Sequence, residues 1–404
     1  MTARPGPLWV GIDVGKRFHH AVAVDAEGTV VWSHRVPNEQ TAITELIGRT
    51  TDTASDVRWA IDLTSAAAAL LLALLLATEQ PVIYVPARVV NRMSDAFAGE
   101  GKTDAKDAHV IAQTARMRRD LTRLAVPEEL IVELNLLTGQ REDLTADWVR
   151  GVNRLRGLLT GVFPALEAAL DYTTSTALTF VLEYCTPAAI QRASDTELTA
   201  HLATHHVRAD RAASVVRKAR AAADAQTIAL PGQALSEDLI RQMASALLNL
   251  RRQLNALDKL ITARFRAHPQ AQIIESMPGM GPVLGAEFLA ITAGDLRAFA
   301  TPAKLATYAG LAPIPHDSGN RSGVLHRPKR YHRRLRHIFY MAAFSSTRTE
   351  GPSRAFYERK RSEHQRHTRA MVALARRLVD VLWALLRDNR LWEPIASITP
   401  RAAA

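Results

Sequence analysis

Short apolar runs separated by turn-forming or polar residues fill the first part of the chain. The segments LWVGIDV, HHAVAVD and TVVWSHRV contain β-branched residues and have the length of strands. A stretch with helical spacing, NEQTAITELIGRT, follows them and has Asn38 as a candidate N-cap. Two further strands, VRWAID and PVIYVP, lie on either side of an alanine- and leucine-rich helix, and a last helix covers Asp104–Arg119. The pattern therefore predicts an α/β region that ends near Leu124.

The order of these elements narrows the choice of fold. Three strands, a helix and then alternating strand and helix is the order of the ribonuclease H type of fold. Actin-like ATPases begin with the same order, so order alone does not separate the two classes.

Helical spacing replaces the strand pattern after Pro127. Two long stretches, 129–159 and 236–265, carry Leu, Ile and Val at spacings of three and four. Helices of this length can pair as an antiparallel hairpin or pack against another subunit. Residues 164–231 between them are rich in alanine and predict a smaller helical insertion.

The C-terminal region, from Gln272, combines several motifs. In MPGMGPVLGAEFLA, small residues precede an apolar helix, as in helix-hairpin-helix elements, whose loop amides and helix N-termini can face a phosphate. A turn that only packs would give the same pattern. The loop IPHDSGNRSG, a basic stretch and a final apolar helix follow. We therefore expect three domains, which are an α/β domain at 1–124, a helical region at 125–270 and a mostly helical domain at 271–404.

Composition indicates an ordinary water-soluble protein of the cytoplasm. The chain is 47% hydrophobic and 23% charged, and it has a single cysteine, Cys185. One cysteine can form neither an internal disulfide nor a thiolate zinc cluster, which fits a reducing compartment. The most apolar stretch, Ala66–Ala77, is shorter than the roughly 20 residues of a membrane span, so it predicts a buried helix.

The net charge of +11 is concentrated in one segment. Arg321–Ala370 holds fourteen Lys or Arg and three Glu, which leaves 37 basic and 37 acidic residues in the rest of the chain. Such a concentration is typical of a surface that binds a polyanion, because association releases counterions from the phosphates. A solvated basic helix face is the alternative. Candidate nucleic-acid-binding residues in this segment are Arg321, Arg327, Lys329, Arg330, Arg333, Arg334 and Arg336.

Four aspartates are candidates for a metal site. Asp13 ends the first strand and Asp62 ends VRWAID, so their side chains approach each other if the two strands are neighbours. Asp104 and Asp107 are three residues apart and share a face of their helix. Carboxylates from two strand ends and a helix form an oxygen-ligand site that suits Mg²⁺, and two such ions about 4 Å apart can position the oxygens of a phosphoryl transfer.

Each aspartate also has a purely structural explanation. Asp13 can be a turn former, and Asp62 can cap the helix that follows it. Asp104 and Asp107 fall in the first turn of a helix, where the helix dipole favours acids. Only their joint placement favours the metal site.

The loop DSGNRSG offers a candidate nucleophile. A serine hydroxyl among arginines and histidines can attack a phosphodiester while the cations stabilise the developing charge. Ser318 and Ser322 are both candidates, and either can be an ordinary turn residue.

Together these motifs resemble the DEDD-type transposases of the insertion-sequence 110 family. GIDVGK, GKTDAKDAHVIA, MPGMGPVLGAEFLAIT, FATPAKLATYAGLAP and DSGNRSG occur in the order of that family, over essentially the whole chain. The resemblance implies an N-terminal domain like a Holliday-junction resolvase of the ribonuclease H superfamily. It places the four Mg²⁺-binding acids at Asp13, Asp62, Asp104 and Asp107, with Asp62 standing where the family usually has glutamate. The serine of the C-terminal domain falls on Ser318, with Ser322 nearby.

The resemblance also implies a mechanism and partners. The serine attacks a DNA phosphodiester and forms a covalent phosphoserine link. The long helices are a coiled-coil dimerisation region, and a dimer of dimers acts on donor and target DNA. A structured noncoding bridge RNA pairs with both DNAs, and the protein works in the bacterial cytoplasm, at the nucleoid. The alternatives are a junction-resolving nuclease without recombination, a sugar kinase or actin-like ATPase, and a noncatalytic nucleic-acid-binding protein.

Overall fold

The computed structural model divides the chain into two compact units, Met1–Pro127 and Glu128–Ala404. The residues that the structure describes are 6–54, 56–64, 66–95, 103–124, 128–226, 228–296, 299–315, 323, 325–326 and 328–393.

The first unit is built on a six-stranded mixed sheet. Its strands are β1 (Leu8–Asp13), β2 (Phe18–Val24), β3 (Val30–Pro37), β4 (Val57–Ile61), β5 (Val82–Tyr84) and β6 (Thr122–Leu124). They lie in the order β3-β2-β1-β4-β5-β6. β1, β2 and β3 are antiparallel, β4 and β5 run parallel to β1, and β6 is antiparallel to β5. The five strands expected from the sequence are all present, which confirms an α/β region at the N-terminus.

Four helices accompany this sheet. They are α1 (Gln40–Thr53), α2 (Ala69–Ala77), α3 (Ala87–Ser94) and α4 (Asp104–Met117), with a short 3₁₀ turn at Ala66–Ala68. α2 is the buried helix expected in the most apolar stretch, and it places Leu71 and Leu75 in the core. α3 and β6 were not predicted from the sequence, since both are too short to show a clear period.

The cap expected for α1 is wrong. Glu39 is the N-cap residue, and no side chain caps this helix. The Asn38 amide instead donates to the carbonyl oxygens of Lys16 and Ala67, each at 3.3 Å. Asn38 therefore joins the segments that follow β1 and β4.

Helices cover both faces of the sheet. Ile12 and Ile61 lie on the face covered by α1 and α2, where they pack in one core with Ile43 and Leu71. Ala60 lies on the opposite face, in a second core with residues of α3 and α4. This alternation follows from the two-residue period of a strand.

Gly11 allows α4 to lie directly on β1. A Cβ atom at this position would be 2.2 Å from the carbonyl oxygen of Ala108 and 2.3 Å from the amide nitrogen of Ala112. Both distances are far below van der Waals contact, so a side chain here would force the helix away from the strand. The glycine thus fixes how closely α4 approaches β1 at Ala108 and Ala112.

The second unit is mostly helical. Its helices are α5 (Glu129–Val162), α6 (Pro164–Ala169), α7 (Ser175–Glu183), α8 (Pro187–Arg192), α9 (Asp195–Thr204), α10 (Ala209–Asp224), α11 (Gln233–Arg266), α12 (Ala271–Ser276), α13 (Pro282–Thr292), α14 (Pro302–Tyr308), α15 (Arg333–Ser346), α16 (Pro352–Ser362) and α17 (His367–Arg387). A two-stranded antiparallel sheet is formed by β7 (Ile314–Pro315) and β8 (Leu325–His326). These helices confirm the mostly helical remainder expected from the sequence.

The long helices α5 and α11 pack side by side as an antiparallel pair. Arg141 of α5 donates to Asp258 of α11 at 2.6 Å, and ten residues further along α5 Gly151 lies against Leu247. A Cβ on Gly151 would be 2.8 Å from Leu247 Cδ2, so the glycine lets the helices approach closely. The pair confirms the two long amphipathic helices expected from the sequence.

Two hydrophobic cores lie along this pair. One core joins the C-terminal half of α5 and the N-terminal half of α11 to helices α6–α10, and its buried residues include Trp148, Phe163 and Phe180. The other joins Ile131 and Phe265, at the opposite end of the pair, to helices α12–α17. Residues 164–231 therefore form a helical subdomain with its own apolar packing.

The turn that resembles a helix-hairpin-helix element connects α12 and α13. Its Gly279 has a φ of 82°, and a Cβ there would be 2.1 Å from the carbonyl oxygen of Ala342 in α15. The turn is thus pressed against α15, which only glycine permits. No helix in the described part of the chain is both long enough and apolar enough to cross a membrane.

Candidate functional site

The parallel pairing of β1 and β4 brings two of the candidate acids together. Ile12 is the register partner of Ile61, so Asp13 and Asp62 follow it on adjacent strands at the carboxyl edge of the sheet. Adjacent strands are about 4.8 Å apart, so the two Cα positions are neighbours.

Strand alternation places both acids on the face that α4 covers. Gly11 and Ala60 face α4, and Asp13 and Asp62 come two residues later on the same strands. Asp13 is half-buried. The sheet therefore directs two carboxylates toward the helix that carries the other two.

The first turn of α4 carries the second pair of acids. Its N-cap is Thr103, whose hydroxyl accepts a hydrogen bond from the Lys106 amide at 3.2 Å. Asp104 and Asp107 are thus not the capping residues, although both stand where the helix dipole favours a negative charge. Asp107 directly precedes Ala108, the residue that packs on Gly11. Asp107 is half-buried, whereas Asp104 is exposed.

Asp62 has a perturbed environment. Burial raises the pKa of its carboxyl group, hydrogen bonds from the amides of Asp62 and Val14 oppose this, and the Asp107 carboxylate raises the pKa further. Oδ1 of Asp62 is buried and, in the described part of the chain, accepts no hydrogen bond. Asp62 does not cap α2 either, because the N-cap position of that helix is Ala68. The structure therefore couples Asp62 electrostatically to Asp107.

The four acids do not form a finished metal site. Across the described ranges, no group of three or more His, Cys, Asp or Glu side chains is arranged to hold a metal ion. The structure brings Asp13 next to Asp62 by register and brings Asp62 within electrostatic reach of Asp107. Asp104 lies one helical turn from Asp107, on the exposed side of the group.

Two contacts that the sequence did not reveal hold the strands and the helix that carry the acids. Asn38 ties the segment after Asp13 to the segment after Asp62 through its two carbonyl acceptors. At the other end of α4, Gln113 donates to the Gly28 carbonyl at 2.6 Å, in the turn between β2 and β3. Both side chains donate to carbonyl groups that are distant in the sequence, so local residue spacing could not predict these hydrogen bonds.

The candidate nucleophiles lie outside the described residues. Ser318, Ser322 and Arg321 belong to the segment between β7 and β8, and Arg327 directly follows β8. The structure describes the two strands that flank the serine segment.

The remaining basic candidates fall into two groups. Lys329, Arg330 and Arg333 are exposed before and at the start of α15. Arg334 pairs with Glu142 at 3.3 Å and with the buried Glu287 at 3.5 Å. The first three cations therefore face solvent, whereas Arg334 joins α15 to α5 and α13.

Arg336 also makes an internal contact. Its guanidinium donates to the Gly310 carbonyl at 3.0 Å and lies 5.2 Å from the centre of the Tyr331 ring. It thereby fixes the turn of the YAGLAP segment against α15.

Helix α16 carries further basic residues of the Arg321–Ala370 segment. It has no buried residue, and its last turn carries Arg359, Lys360 and Arg361. Arg359 and Lys360 lie over the Phe356 ring, and Arg377 of α17 also contacts it. An exposed helix with this charge is suited to phosphate contacts.

Comparison with known proteins identifies the family. Residues 10–164 match a family described as "Transposase", of the DEDD type of IS110, and residues 271–358 match "Transposase IS116/IS110/IS902 family". An insertion element IS116 protein of Streptomyces clavuligerus is 51% identical over 403 residues, which is 100% of both chains. An insertion element IS900 protein of Mycobacterium paratuberculosis is 44% identical and covers 96% of this chain and 98% of its own. A mini-circle putative transposase for IS117 from Streptomyces coelicolor is 25% identical, with 97% of each chain covered.

These similarities set aside the kinase, ATPase and nuclease alternatives. Transposases cleave and rejoin DNA, and a DEDD-type domain implies dependence on a divalent metal. By sequence along its whole length, the chain belongs to the IS110/IS116 family of insertion-element transposases.

Proposed function

We propose that this transposase excises and inserts its own element with an acidic Mg²⁺ site and a serine nucleophile. The observation that carries the proposal is the alignment of Asp13 and Asp62 at one sheet edge, with Asp107 acting on Asp62 from α4. We assign the first domain, 1–124, to the ribonuclease H type, since three strands, a helix and then alternating strand and helix follow one another along it.

The residues present fit a magnesium ion. All four are carboxylates, the hard oxygen ligands that Mg²⁺ prefers. The buried Oδ1 of Asp62, without a hydrogen-bond donor among the described residues, is an oxygen suited to a cation. The raised pKa of Asp62 also supports a cation site, because a nearby cation would offset the repulsion between the Asp62 and Asp107 carboxylates. Asp62 therefore takes the role that the family usually gives to glutamate.

Mg²⁺ held by Asp13, Asp62, Asp104 and Asp107 would supply positive charge for the attacking and leaving oxygens of a phosphoryl transfer. Ser318, with Ser322 as the alternative, provides the nucleophile. Its hydroxyl oxygen bonds to the phosphorus of a DNA phosphodiester, the bond to the leaving DNA hydroxyl breaks, and a phosphoserine link remains. A DNA hydroxyl later attacks this link and releases the serine, which rejoins the strands.

The basic segment binds the nucleic acids. Lys329, Arg330 and Arg333 are exposed and contact phosphates, and we assign the same task to Arg321 and Arg327. Arg334 and Arg336 support that surface from within, through Glu287 and Gly310. We further propose that a bridge RNA from the element guides donor and target DNA to this surface, in the cytoplasm at the nucleoid.

The long helices join subunits. The α5–α11 pair forms a coiled coil in the region 125–270, and the side chains of Leu136 and Val149 are 69% and 52% exposed on it. Burying such residues against a second copy gives a dimer, and two dimers on DNA give a tetramer. The domain 271–404 then supplies the serine and the basic surface.

The test is recombination between plasmids that carry the element ends, with the element's flanking RNA supplied. Asp107→Asn and Ser318→Ala should each abolish recombination while nucleic-acid binding is kept, because the acids and the serine serve chemistry. Asp56→Asn and Ser362→Ala are matched controls at exposed positions and should recombine normally. Wild-type recombination rates in Asp107→Asn would refute the acidic site. If Ser318→Ala recombines normally and Ser322→Ala does not, the nucleophile is Ser322.

A further inference from the structure

A cavity of about 530 Å³ lies beside the carboxyl end of β5, in the first unit. Its wall includes Tyr84 from the strand, Arg88, Arg92 and Met93 from α3, and Arg118 and Leu121 from the segment after α4. The volume is within the range of small-ligand sites, about 300–1,000 Å³. None of these residues belongs to the acidic group described above.

The cavity has an excess of positive charge. Arg88 and Arg92 lie one turn apart on α3, both exposed, and neither has an ion-pair partner in the parts of the chain that the structure describes. Arg118 is already held, since its Nε donates to Oδ1 of Asp120 at 2.9 Å. Two guanidinium groups thus remain for a ligand, and their planar forks match the oxygens of a phosphate.

The rest of the wall is apolar and aromatic. Tyr84, Val89, Met93 and Leu121 line it and are half-buried, so they offer contact area without being sealed inside the core. The flexible Met93 thioether beside Val89 and Leu121 can pack on the flat face of a base. Cationic and apolar halves in one cavity of this size match a nucleotide, with a phosphate at one end and a base at the other.

The position of the cavity relates it to the acids. β5 is parallel to β4, with Tyr84 the register partner of Ile61, the residue before Asp62. The cavity therefore begins one strand away from a proposed magnesium ligand, about 4.8 Å in the plane of the sheet. A nucleic-acid strand at the sheet edge runs past both places.

We propose that this cavity receives an unpaired nucleotide of the DNA strand that lies at the acids. Its phosphate binds Arg88 and Arg92 and its base packs on Val89 and Met93. An unpaired nucleotide is favoured because lifting a paired base out of a duplex costs stacking and pairing energy. The inference rests on the proposed function, which puts DNA at Asp13 and Asp62. It adds a binding site that holds the strand near the scissile phosphate.

Photocrosslinking of the full-length protein tests the cavity without catalysis. The probe is a single-stranded DNA oligonucleotide with 4-thiothymine at one position, irradiated in EDTA, with crosslinked peptides identified by mass spectrometry. We expect a crosslink within 84–93. Arg88→Ser with Arg92→Ser should lower its yield at least about tenfold, the loss expected for one charge-assisted hydrogen bond. Arg49→Ser with Arg58→Ser removes the same charge from the same unit and should leave the yield unchanged.

Further arms separate the possible outcomes. Met93→Ser should lower the yield at least about threefold, because the base loses an apolar contact in the cavity. Crosslinks outside the cavity, or equal yields in the cavity and control variants, would overturn the proposal. So would an RNA oligonucleotide of the same sequence that crosslinks as well as the DNA. Asp107→Asn should keep the crosslink, so loss of recombination and loss of the crosslink report separately on the acids and on the cavity.

Discussion

The Asp107 carboxylate on α4 acts on the Asp62 carboxyl group at the end of β4. Repulsion from Asp107 adds to burial and raises the pKa of Asp62 above its ordinary value. The folded protein therefore holds this proton more tightly than the unfolded chain does. The stabilising contribution is complete below the ordinary pKa and is lost as the pH rises through the folded pKa. Above the folded pKa, the ionised Asp62 lowers the stability of the metal-free protein.

Asp62→Asn should raise the melting temperature of the protein in EDTA by a few degrees at a pH above the folded pKa of Asp62, because it removes a half-buried charge. The gain should shrink as the pH is lowered toward the ordinary aspartate pKa, where Asp62 is protonated in any case. Adding Mg²⁺ should raise the melting temperature of the wild type more than that of the variant. Thermal scans with and without Mg²⁺ measure both effects, with Asp56→Asn as the control. An unchanged melting temperature in EDTA would contradict the destabilisation of the Asp62 carboxylate by burial and by Asp107.

Gly11→Ala should destabilise the first unit and reduce recombination. The added Cβ would be 2.2 Å from the Ala108 carbonyl oxygen and 2.3 Å from the Ala112 amide nitrogen, both parts of helix backbone that cannot turn aside. We expect a loss of about 1–3 kcal/mol in the free energy of unfolding, as is usual for overpacking. Urea unfolding measures it, and recombination should fall further than stability alone explains, because α4 carries Asp107.

Gly48→Ala is the matched control for that substitution. Gly48 lies within α1, and a Cβ there would meet nothing within 4 Å. Alanine should therefore stabilise the protein by about 0.5–1 kcal/mol through helix propensity. If both variants unfold at the wild-type urea concentration, the contact of α4 with β1 is looser than the structure indicates.

Local pattern predicted the parts of the site that depend on local structure. The strand ending at Asp13, the helix starting at Asp104 and the exposed cations from Lys329 onward all follow from period and composition. The pairing that aligns Asp13 with Asp62 does not, because parallel strands join through a long crossover and several registers fit the same apolar pattern.

The same limit applies to side chains with distant partners. Asn38 has the position and chemistry of a helix cap, yet its amide bonds carbonyls at Lys16 and Ala67. Arg334 cannot be told from Arg333 by sequence, although one side chain reaches Glu287 and the other faces solvent. Such differences depend on tertiary contacts alone.

Arg334→Ala should destabilise the protein, whereas Arg333→Ala should not. Glu287 is only 7% exposed, and losing Arg334 leaves it with the more distant Arg141, at 4.0 Å. Removing one partner of a buried pair costs about 3–5 kcal/mol, and the exposure of Glu142, the other partner of Arg334, places the loss toward the lower end of this range. Urea unfolding measures the difference between the two variants.

Nucleic-acid binding should depend on Arg333 and not on Arg334, the reverse of the effect on stability. Arg333→Ala should weaken binding of DNA and lower the slope of log affinity against log salt by about one unit, since one phosphate contact is lost. Arg334→Ala, assayed where it is folded, should leave the slope unchanged. A reduced slope in Arg334→Ala, with stability intact, would instead make Arg334 a phosphate ligand.

His332 should make the stability of the second unit depend on pH. It is the N-cap residue of α15, and its Nδ1 accepts a hydrogen bond from the Leu335 amide at 3.1 Å. Burial lowers the pKa of His332, Arg334 lowers it further, and Glu142 opposes them. The folded state therefore binds this proton less tightly than the unfolded chain. The stability present above the ordinary pKa of 6.5 is lost as the pH falls through that value toward the folded pKa.

His332→Asn should remove this part of the pH dependence. Asparagine also caps helices and does not titrate, so the variant should retain its stability as the pH falls below 6.5, whereas protonation of Nδ1 in the wild type removes the acceptor for the Leu335 amide. We expect the wild type to lose about 0.5–2 kcal/mol more than the variant between about pH 7.5 and pH 5, the contribution of one cap. His337→Asn, at an exposed position of α15, controls for the loss of a histidine and should follow the wild type. Equal losses in both variants would show that protonation of His332 does not open the cap.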